Sequence, residues 1–133
     1  MIVADVNTLA YLWIPGEMTA VAEKALSKDP HWVAPQLWRS EFRNILAQYL
    51  RRNAISVSAM IRCLAGAEKQ MEGQSYAVPS ALVMKMVERS ICSAYDCEYV
   101  ALAESLGVKL VTSDKQICKQ FPQIAVNLKE FAG

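Results

Sequence analysis

The sequence has only one histidine, His31, and no two of its four cysteines are spaced as C-x-x-C. Without a cluster of cysteine and histidine there is no basis for a structural zinc site. No uninterrupted run of about 18 apolar residues is present, so no membrane-spanning helix is predicted. The start, MIVADV, lacks the basic segment and the apolar run of a signal peptide. We therefore expect a cytoplasmic protein with reduced thiols.

Charge of one sign is also scarce, because 14 basic residues nearly balance 13 acidic ones and the net charge is +1. The chain therefore has no global basic field that would attract nucleic acid or a membrane, and any contact with nucleic acid must come from a local patch. Hydrophobic residues make up 53% of the sequence, which excludes a disordered chain. A length of 133 residues predicts a single domain over residues 1–133.

Short apolar runs without polar alternation are separated by stretches of helical periodicity. The first pattern is typical of strands buried on both faces, and the second is typical of amphipathic helices. Strands that alternate with helices predict an α/β fold of three layers, in which helices cover both faces of a central, mainly parallel sheet. Strands are expected near residues 1–6, 32–34, 75–78, 109–113 and 125–128, and helices near residues 9–13, 18–28, 38–52, 56–71, 79–87, 94–106 and 115–121.

Four acidic residues end the predicted strands or open the predicted helices. Asp5 lies at the end of the first strand, and Asp114 lies at the end of the strand near residues 109–113. Glu41 and Asp96 each fall in the first turn of a predicted helix. Ligands of an open parallel sheet bind beyond the carboxyl ends of its strands. We therefore expect these four carboxylates at one edge of the sheet.

Each acid also has a purely structural explanation. Asp5 and Asp114 have the position of helix caps. Glu41, in a first helical turn, is stabilised by the helix dipole. Ser93 with Asp96 resembles a capping box in which Asp replaces the usual Glu or Gln. Capping does not require the four acids to lie together, whereas a shared site does.

A shared site would have a physical consequence. Carboxylates a few ångströms apart repel one another, so one of them takes up a proton or a cation neutralises them. A site made only of oxygen ligands suits Mg²⁺ or Mn²⁺. Such a site can activate a bound water for attack on phosphorus and stabilise the leaving oxygen. Metal-assisted hydrolysis of a phosphodiester is therefore the favoured reaction class.

Four stretches of the chain resemble the acidic motifs of PIN-domain ribonucleases: MIVADVNTLAYL, WRSEFRNIL, SAYDCEYVALAESLG and VKLVTSDKQ. Their order and spacing, and the length of the chain, are most similar to the VapC toxins of bacterial and archaeal toxin–antitoxin pairs. The resemblance extends over essentially all 133 residues. It implies a three-layer α/β/α PIN-like fold, a Mg²⁺ or Mn²⁺ site, endonucleolytic cleavage of RNA, a homodimer, and a small antitoxin that blocks the site.

Carried over by position, the resemblance assigns both the catalytic and the metal-binding roles to Asp5, Glu41, Asp96 and Asp114. Polar neighbours that would steady these ligands are Asn7, Asn44 and Ser113. One local feature departs from the family pattern, because Cys97-Glu98 follows Asp96 where small residues are common. Glu98 lies about 200° around the helix from Asp96, so it is expected outside the site.

Three basic residues are candidates for contacts with RNA phosphates: Arg39, Arg43 and Lys115. Arg39 and Arg43 share one face of the helix that carries Glu41, and Lys115 follows Asp114 directly. The alternative interpretation is a solvated helix face.

Two other functions also fit part of the sequence. A haloacid-dehalogenase-like phosphatase would begin with an Asp after an apolar strand, but it needs a second Asp where Asn7 stands, and the chain is short for that fold. A binding module that keeps the PIN-like fold without turnover is the other alternative. The four intact acids argue against it, and metal-dependent RNA cleavage would separate all three functions.

Overall fold

The computed structural model describes residues 1–133. Its centre is one sheet of five parallel strands in the order β3-β2-β1-β4-β5. The predicted α/β fold with a parallel central sheet is confirmed. The strands are β1 (Ile2–Ala4), β2 (Trp32–Pro35), β3 (Ser75–Tyr76), β4 (Leu110–Thr112) and β5 (Ala125–Asn127).

Eight helices connect and follow the strands. Seven of them lie where helical periodicity predicted them, and the short last helix was not predicted. No helix has the length and apolar character that crossing a membrane requires. The helices are α1 (Val6–Trp13), α2 (Thr19–Lys28), α3 (Trp38–Arg51), α4 (Val57–Gln70), α5 (Ser80–Glu88), α6 (Ala94–Leu106), α7 (Lys115–Gln120) and α8 (Leu128–Ala132).

The strand order reverses direction between β1 and β4. From β1 the chain steps outward through β2 to β3, then returns across the sheet to β4 and continues to β5. Because parallel crossovers are right-handed, the two directions place α1 to α4 on one face and α5 to α7 on the other. The crevice at the carboxyl ends of β1 and β4 is therefore the switch point where α/β folds bind ligands.

The core explains why the helix that carries Glu41 is held firmly. Trp38 and Phe42 of α3 are fully buried, and their rings meet edge to face with centroids 6.0 Å apart. The Trp38 indole also donates a hydrogen bond to the Ser75 hydroxyl at 2.7 Å. Residues three and four apart lie on one face of a helix, so the first turn of α3 is fixed against the sheet with Glu41 at its margin.

The first strand is shorter than predicted. The apolar run favoured a strand through residue 6, but β1 ends at Ala4 and α1 begins at Val6. The reason is the Asp5 side chain, which accepts the backbone N–H of Thr8 and turns the chain into a helix. Asp5 is therefore both the last residue before the turn and the cap of α1.

Candidate functional site

Asp5 lies at the switch point and is almost fully buried, with 6% of its surface exposed. Its Oδ1 accepts hydrogen bonds from the Thr8 backbone N–H at 2.9 Å and from the Thr8 hydroxyl at 2.8 Å. Its Oδ2 accepts a hydrogen bond from the Thr112 hydroxyl. Ala4 pairs with Val111 in the sheet, so Asp5 and Thr112 follow the same rung. Burial raises the pKa of Asp5 despite these donors, and the charge of Asp114 raises it further.

Glu41 projects from the first turn of α3 and is held by a residue of α6. The Tyr99 hydroxyl donates a hydrogen bond to Glu41 Oε1 at 2.6 Å. Tyr99 is 3% exposed, and burial together with the Glu41 carboxylate raises the pKa of this hydroxyl far above its usual range, so it stays a donor. Burial also raises the pKa of Glu41, with further contributions from the charges of Asp96 and Asp5.

Asp96 lies in the first turn of α6. The Ser93 hydroxyl caps this helix by accepting the backbone N–H of Asp96 at 3.1 Å, as the sequence predicted. No donor of the protein bonds either carboxylate oxygen of Asp96, so the reciprocal half of the capping box is not formed. Burial raises the pKa of Asp96, and the charge of Asp114 raises it further.

Asp114 caps α7, because its Oδ1 accepts the backbone N–H of Ile117 at 3.0 Å. Its own N–H donates to the Thr112 hydroxyl oxygen at 3.0 Å, and Thr112 also bonds Asp5. A single threonine therefore links the two acids at the ends of β1 and β4. The capping interpretation is confirmed for both Asp5 and Asp114.

The structure brings the four acids to one edge of the sheet and leaves their charge uncompensated. Charge repulsion links Asp5 with Asp114, Asp114 with Asp96, and Glu41 with both Asp96 and Asp5. The two ion pairs of the structure lie elsewhere, between the N-terminal amine and Asp29 and between Arg89 and Glu104. Every hydrogen-bond donor to the four acids is neutral. A cation would relieve this repulsion.

The acids form an open group, which we call the acid cluster (Asp5, Glu41, Asp96 and Asp114). No three acidic, cysteine or histidine side chains lie close enough together to hold one metal ion, so the conformation contains no closed carboxylate cage. The donor set nevertheless fits Mg²⁺, which keeps several of its waters and needs only one or two carboxylates. Oxygens that accept no hydrogen bond from the protein are Glu41 Oε2, Asp114 Oδ2 and both carboxylate oxygens of Asp96.

The polar neighbours predicted to steady the acids are arranged differently from the expectation. Asn7 and Asn44 are exposed, and neither side chain bonds an acid. The Ser113 hydroxyl lies 3.2 Å from the Tyr11 hydroxyl. The residues that do hold the acids are Thr8, Thr112 and Tyr99.

Each of these three residues had a weak signal in the sequence. Thr8 stands three residues after Asp5, which is the spacing of a capped first turn. Thr112 stands two residues before Asp114, at the end of β4. Tyr99 stands three residues after Asp96, which places both side chains on one side of α6. Only the spacing of Thr8 points to the acid that its hydroxyl bonds.

The three basic candidates are exposed, and none of them forms an ion pair. The Arg39 guanidinium lies over the Trp38 ring, 5.5 Å from its centroid. Arg39 also borders an open, mostly polar cavity of about 670 Å³ beside Gln36 and Ser40. These cations are free for phosphate oxygens, and their role in RNA binding stays a prediction.

Comparison with known proteins adds evidence independent of the geometry. No protein-family model matches the sequence. Ribonuclease VapC3 of Pyrobaculum aerophilum is 31% identical over 126 residues, which cover 92% of this chain and 96% of the relative.

Two crystal structures share the fold. PAE2754 from Pyrobaculum aerophilum aligns with a TM-score of 0.77 and 22% identity, over 98% of this chain and 92% of that one. FitAcB from Neisseria gonorrhoeae aligns with a TM-score of 0.76 and 13% identity, over 96% of this chain and 98% of that one. At these identities the similarity establishes the three-layer architecture.

Proposed function

Since the chain belongs to the VapC family of PIN-domain ribonucleases, we propose that it is a Mg²⁺- or Mn²⁺-dependent endoribonuclease that hydrolyses RNA phosphodiester bonds at the acid cluster. The observation that carries the proposal is the uncompensated charge of four carboxylates at the switch point of the sheet. A protein gains nothing in stability from such repulsion. The arrangement makes sense when a divalent cation binds there.

The four acids would have different roles at this site. Asp5 is fixed in place by Thr8 and Thr112, so its orientation is set before any ligand arrives. Asp96 and Asp114 offer oxygens that have no protein partner. A divalent ion bound by these carboxylates would acidify a water and neutralise charge on the phosphate.

Exposed basic side chains of the chain would hold the substrate. Arg39 and Arg43 lie four residues apart on α3, and Lys115 directly follows Asp114. Contacts of this kind position an RNA backbone without reading its sequence. The net charge of the chain is only +1, so this local set would supply the attraction.

We also propose that the protein is the toxin of a toxin–antitoxin pair, that it forms a homodimer, and that a small antitoxin covers the acid cluster. Membership of the VapC family supports this proposal. Light scattering on the purified chain tests whether it forms a homodimer. Co-purification with the product of the adjacent reading frame tests whether it binds an antitoxin.

The experiment for the enzymatic proposal compares wild type with Asp96→Asn on single-stranded RNA, in EDTA and in Mn²⁺. Wild type should cleave internally only when the metal is present. Asp96→Asn should abolish cleavage, because an amide keeps the shape of the side chain but is a poor ligand for a hard cation. The matched control is Glu23→Gln, which removes one charge from an exposed position of α2 and should leave cleavage unchanged.

The outcomes separate the alternatives. Equal cleavage by wild type and Asp96→Asn would remove Asp96 from the site. RNA binding without cleavage in any divalent metal would favour the binding module. Release of phosphate from a phosphomonoester, with RNA left intact, would favour the phosphatase.

A further inference from the structure

A groove lies between α5 and α6, beside the acid cluster and outside it. Its volume is about 300 Å³, which is at the lower end for small-ligand pockets. The walls are mainly apolar and come from Val78, Val83 and Met84. Tyr95 and Glu98, one helical turn apart on α6, contribute an aromatic ring and a carboxylate.

Two side chains of this groove are unusually exposed for their type. Tyr95 is 63% exposed and Met84 is 56% exposed. The Tyr95 hydroxyl bonds no group of the protein, and Glu98 forms no ion pair. The buried tyrosine of this chain, Tyr99, has a hydrogen bond that explains its position. The ring of Tyr95 has no such structural role.

Two lining residues of the groove lie near members of the acid cluster. Tyr95 directly precedes Asp96 in the first turns of α6. Glu98 is close enough to Glu41 for its charge to contribute to the raised pKa of that residue. A ligand seated between α5 and α6 would therefore lie beside any phosphate held at the cluster.

The chemistry of the groove matches an unpaired nucleobase. Bases of single-stranded RNA stack on exposed aromatic rings and are recognised at their hydrogen-bonding edges. A carboxylate accepts hydrogen bonds from base amino groups. The Tyr95 ring complements the flat face of a base, and the Glu98 carboxylate complements its edge of N–H donors. A purely apolar partner would leave this carboxylate without a hydrogen bond.

We propose that this groove binds one unpaired base of the RNA substrate, with the base stacked on the Tyr95 ring and its amino edge bonded to Glu98, and that it thereby sets the base preference next to the cut. The inference rests on the proposed nuclease function and deepens it. It assigns to Tyr95 and Glu98 a part in selecting the substrate and not in the chemical step.

The test uses the full chain and a pool of single-stranded RNA of randomised sequence, with the cut ends sequenced and kcat and KM measured on the preferred sequence. Tyr95→Ala should raise KM about tenfold, because loss of one base–aromatic stack weakens binding on that order, and should erase the preference. Tyr95→Phe keeps the ring and should restore both. Glu98→Gln should change which base is preferred, since an amide donates as well as accepts.

A matched control is Ile91→Ala, which truncates a side chain that is 74% exposed and lies outside the groove. It should leave KM and base preference unchanged. If Tyr95→Ala keeps the KM and base preference of an active wild type, the base-binding role of the groove is wrong, while the nuclease proposal stands. A dimer that dissociates in Tyr95→Ala without a change in preference would instead make the groove an interface between copies. Failure of wild type to cut any RNA would overturn the nuclease proposal, and the groove with it.

Discussion

A carboxylate has two oxygens, and two members of the acid cluster, Asp114 and Glu41, use only one of them within the protein. Asp114 caps α7 with Oδ1 and leaves Oδ2 without a protein partner. Glu41 accepts Tyr99 at Oε1 and leaves Oε2 free. A helix cap and a metal ligand are therefore not competing interpretations of the same residue. In these two residues the structural role fixes one oxygen and leaves the other without a protein partner.

Tyr99 is the residue whose removal tests this arrangement most simply. Tyr99→Phe deletes the only hydrogen bond to the Glu41 carboxylate and keeps the ring that fills the core. We expect Mn²⁺ affinity to fall about tenfold, the lower end of the effect of losing a partner that orients a metal ligand. Mn²⁺ titration followed by electron paramagnetic resonance measures the affinity without reference to catalysis.

The control for that substitution is Tyr76→Phe, at a tyrosine of β3 whose hydroxyl bonds no other residue of the chain. It should not change Mn²⁺ affinity. If Tyr99→Phe also binds Mn²⁺ as wild type does, Glu41 is oriented by something other than Tyr99, or it is not a ligand.

The four acids were predictable from sequence and the hydroxyls that hold them were not. The position of an acid at the end of a strand follows from the order of helices and strands. The hydrophobic periodicity of the sequence indicates that order. The partner of Asp5 on β4 is 107 residues away, and the partner of Glu41 on α6 is 58 residues away. Such pairs depend on side-chain rotamers within the packed fold, and no local pattern encodes them.

At the scale of elements, the contact between α1 and α4 depends on Gly66. A Cβ at this position would lie 2.4 Å from the Trp13 ring, and that ring is held by a 2.7 Å hydrogen bond from its indole N–H to the Gln70 side chain. Glycine inside a helix usually costs stability relative to alanine. Here it allows an aromatic ring to lie directly on the helix backbone.

Gly66→Ala should therefore destabilise the fold by about 1–3 kcal/mol, because overpacking outweighs the gain in helix propensity. In a Trp13→Leu background the same substitution should stabilise the fold by up to about 1 kcal/mol, the ordinary advantage of alanine in a helix. Denaturant unfolding of the four proteins measures both differences. Equal effects in the two backgrounds would show that Trp13 moves aside without cost.

Helix ends were predicted well where a side chain marks them. Ser56 caps α4 and Ser93 caps α6, each by accepting a backbone N–H. Gly107 ends α6 in the left-handed conformation, with φ of 67°. The short α8 was not predicted, because five residues contain too little periodicity to separate a helix from a strand end. Asn127 both ends β5 and caps α8.

At the scale of the whole molecule, the acid cluster sets how stability depends on pH. Burial, and repulsion between the acids, raise the pKa values of Asp5, Glu41 and Asp96 in the folded state. Between the ordinary and the raised pKa values the folded chain holds more protons than the unfolded chain. Stability therefore falls as pH rises through that interval.

In EDTA, the melting temperature of wild type should accordingly rise as the pH is lowered from about 7 to about 5, above the ordinary pKa of an aspartate. Asp114→Asn should show a weaker rise and be at least as stable as wild type at pH 7. Asparagine keeps the cap of α7 but removes the charge that raises the pKa values of Asp5 and Asp96. Calorimetric melts at both pH values measure this.

The same two proteins test the response to metal. Wild type should gain about 2.7 kcal/mol at a hundredfold excess of Mn²⁺ over its dissociation constant, and Asp114→Asn should gain less. No Mn²⁺-dependent shift in wild type at millimolar metal would leave Asp5 and Asp114 as helix caps alone.

The location of a bound ion tests the central claim, that the acid cluster is a divalent-metal site, most directly. The measurement is anomalous diffraction from crystals of the protein grown with Mn²⁺. We predict one peak, or two about 3.5–4 Å apart, within about 2.0–2.2 Å of carboxylate oxygens of the cluster. A well-occupied Mn²⁺ peak elsewhere, or none at the cluster under saturating metal, would contradict the account.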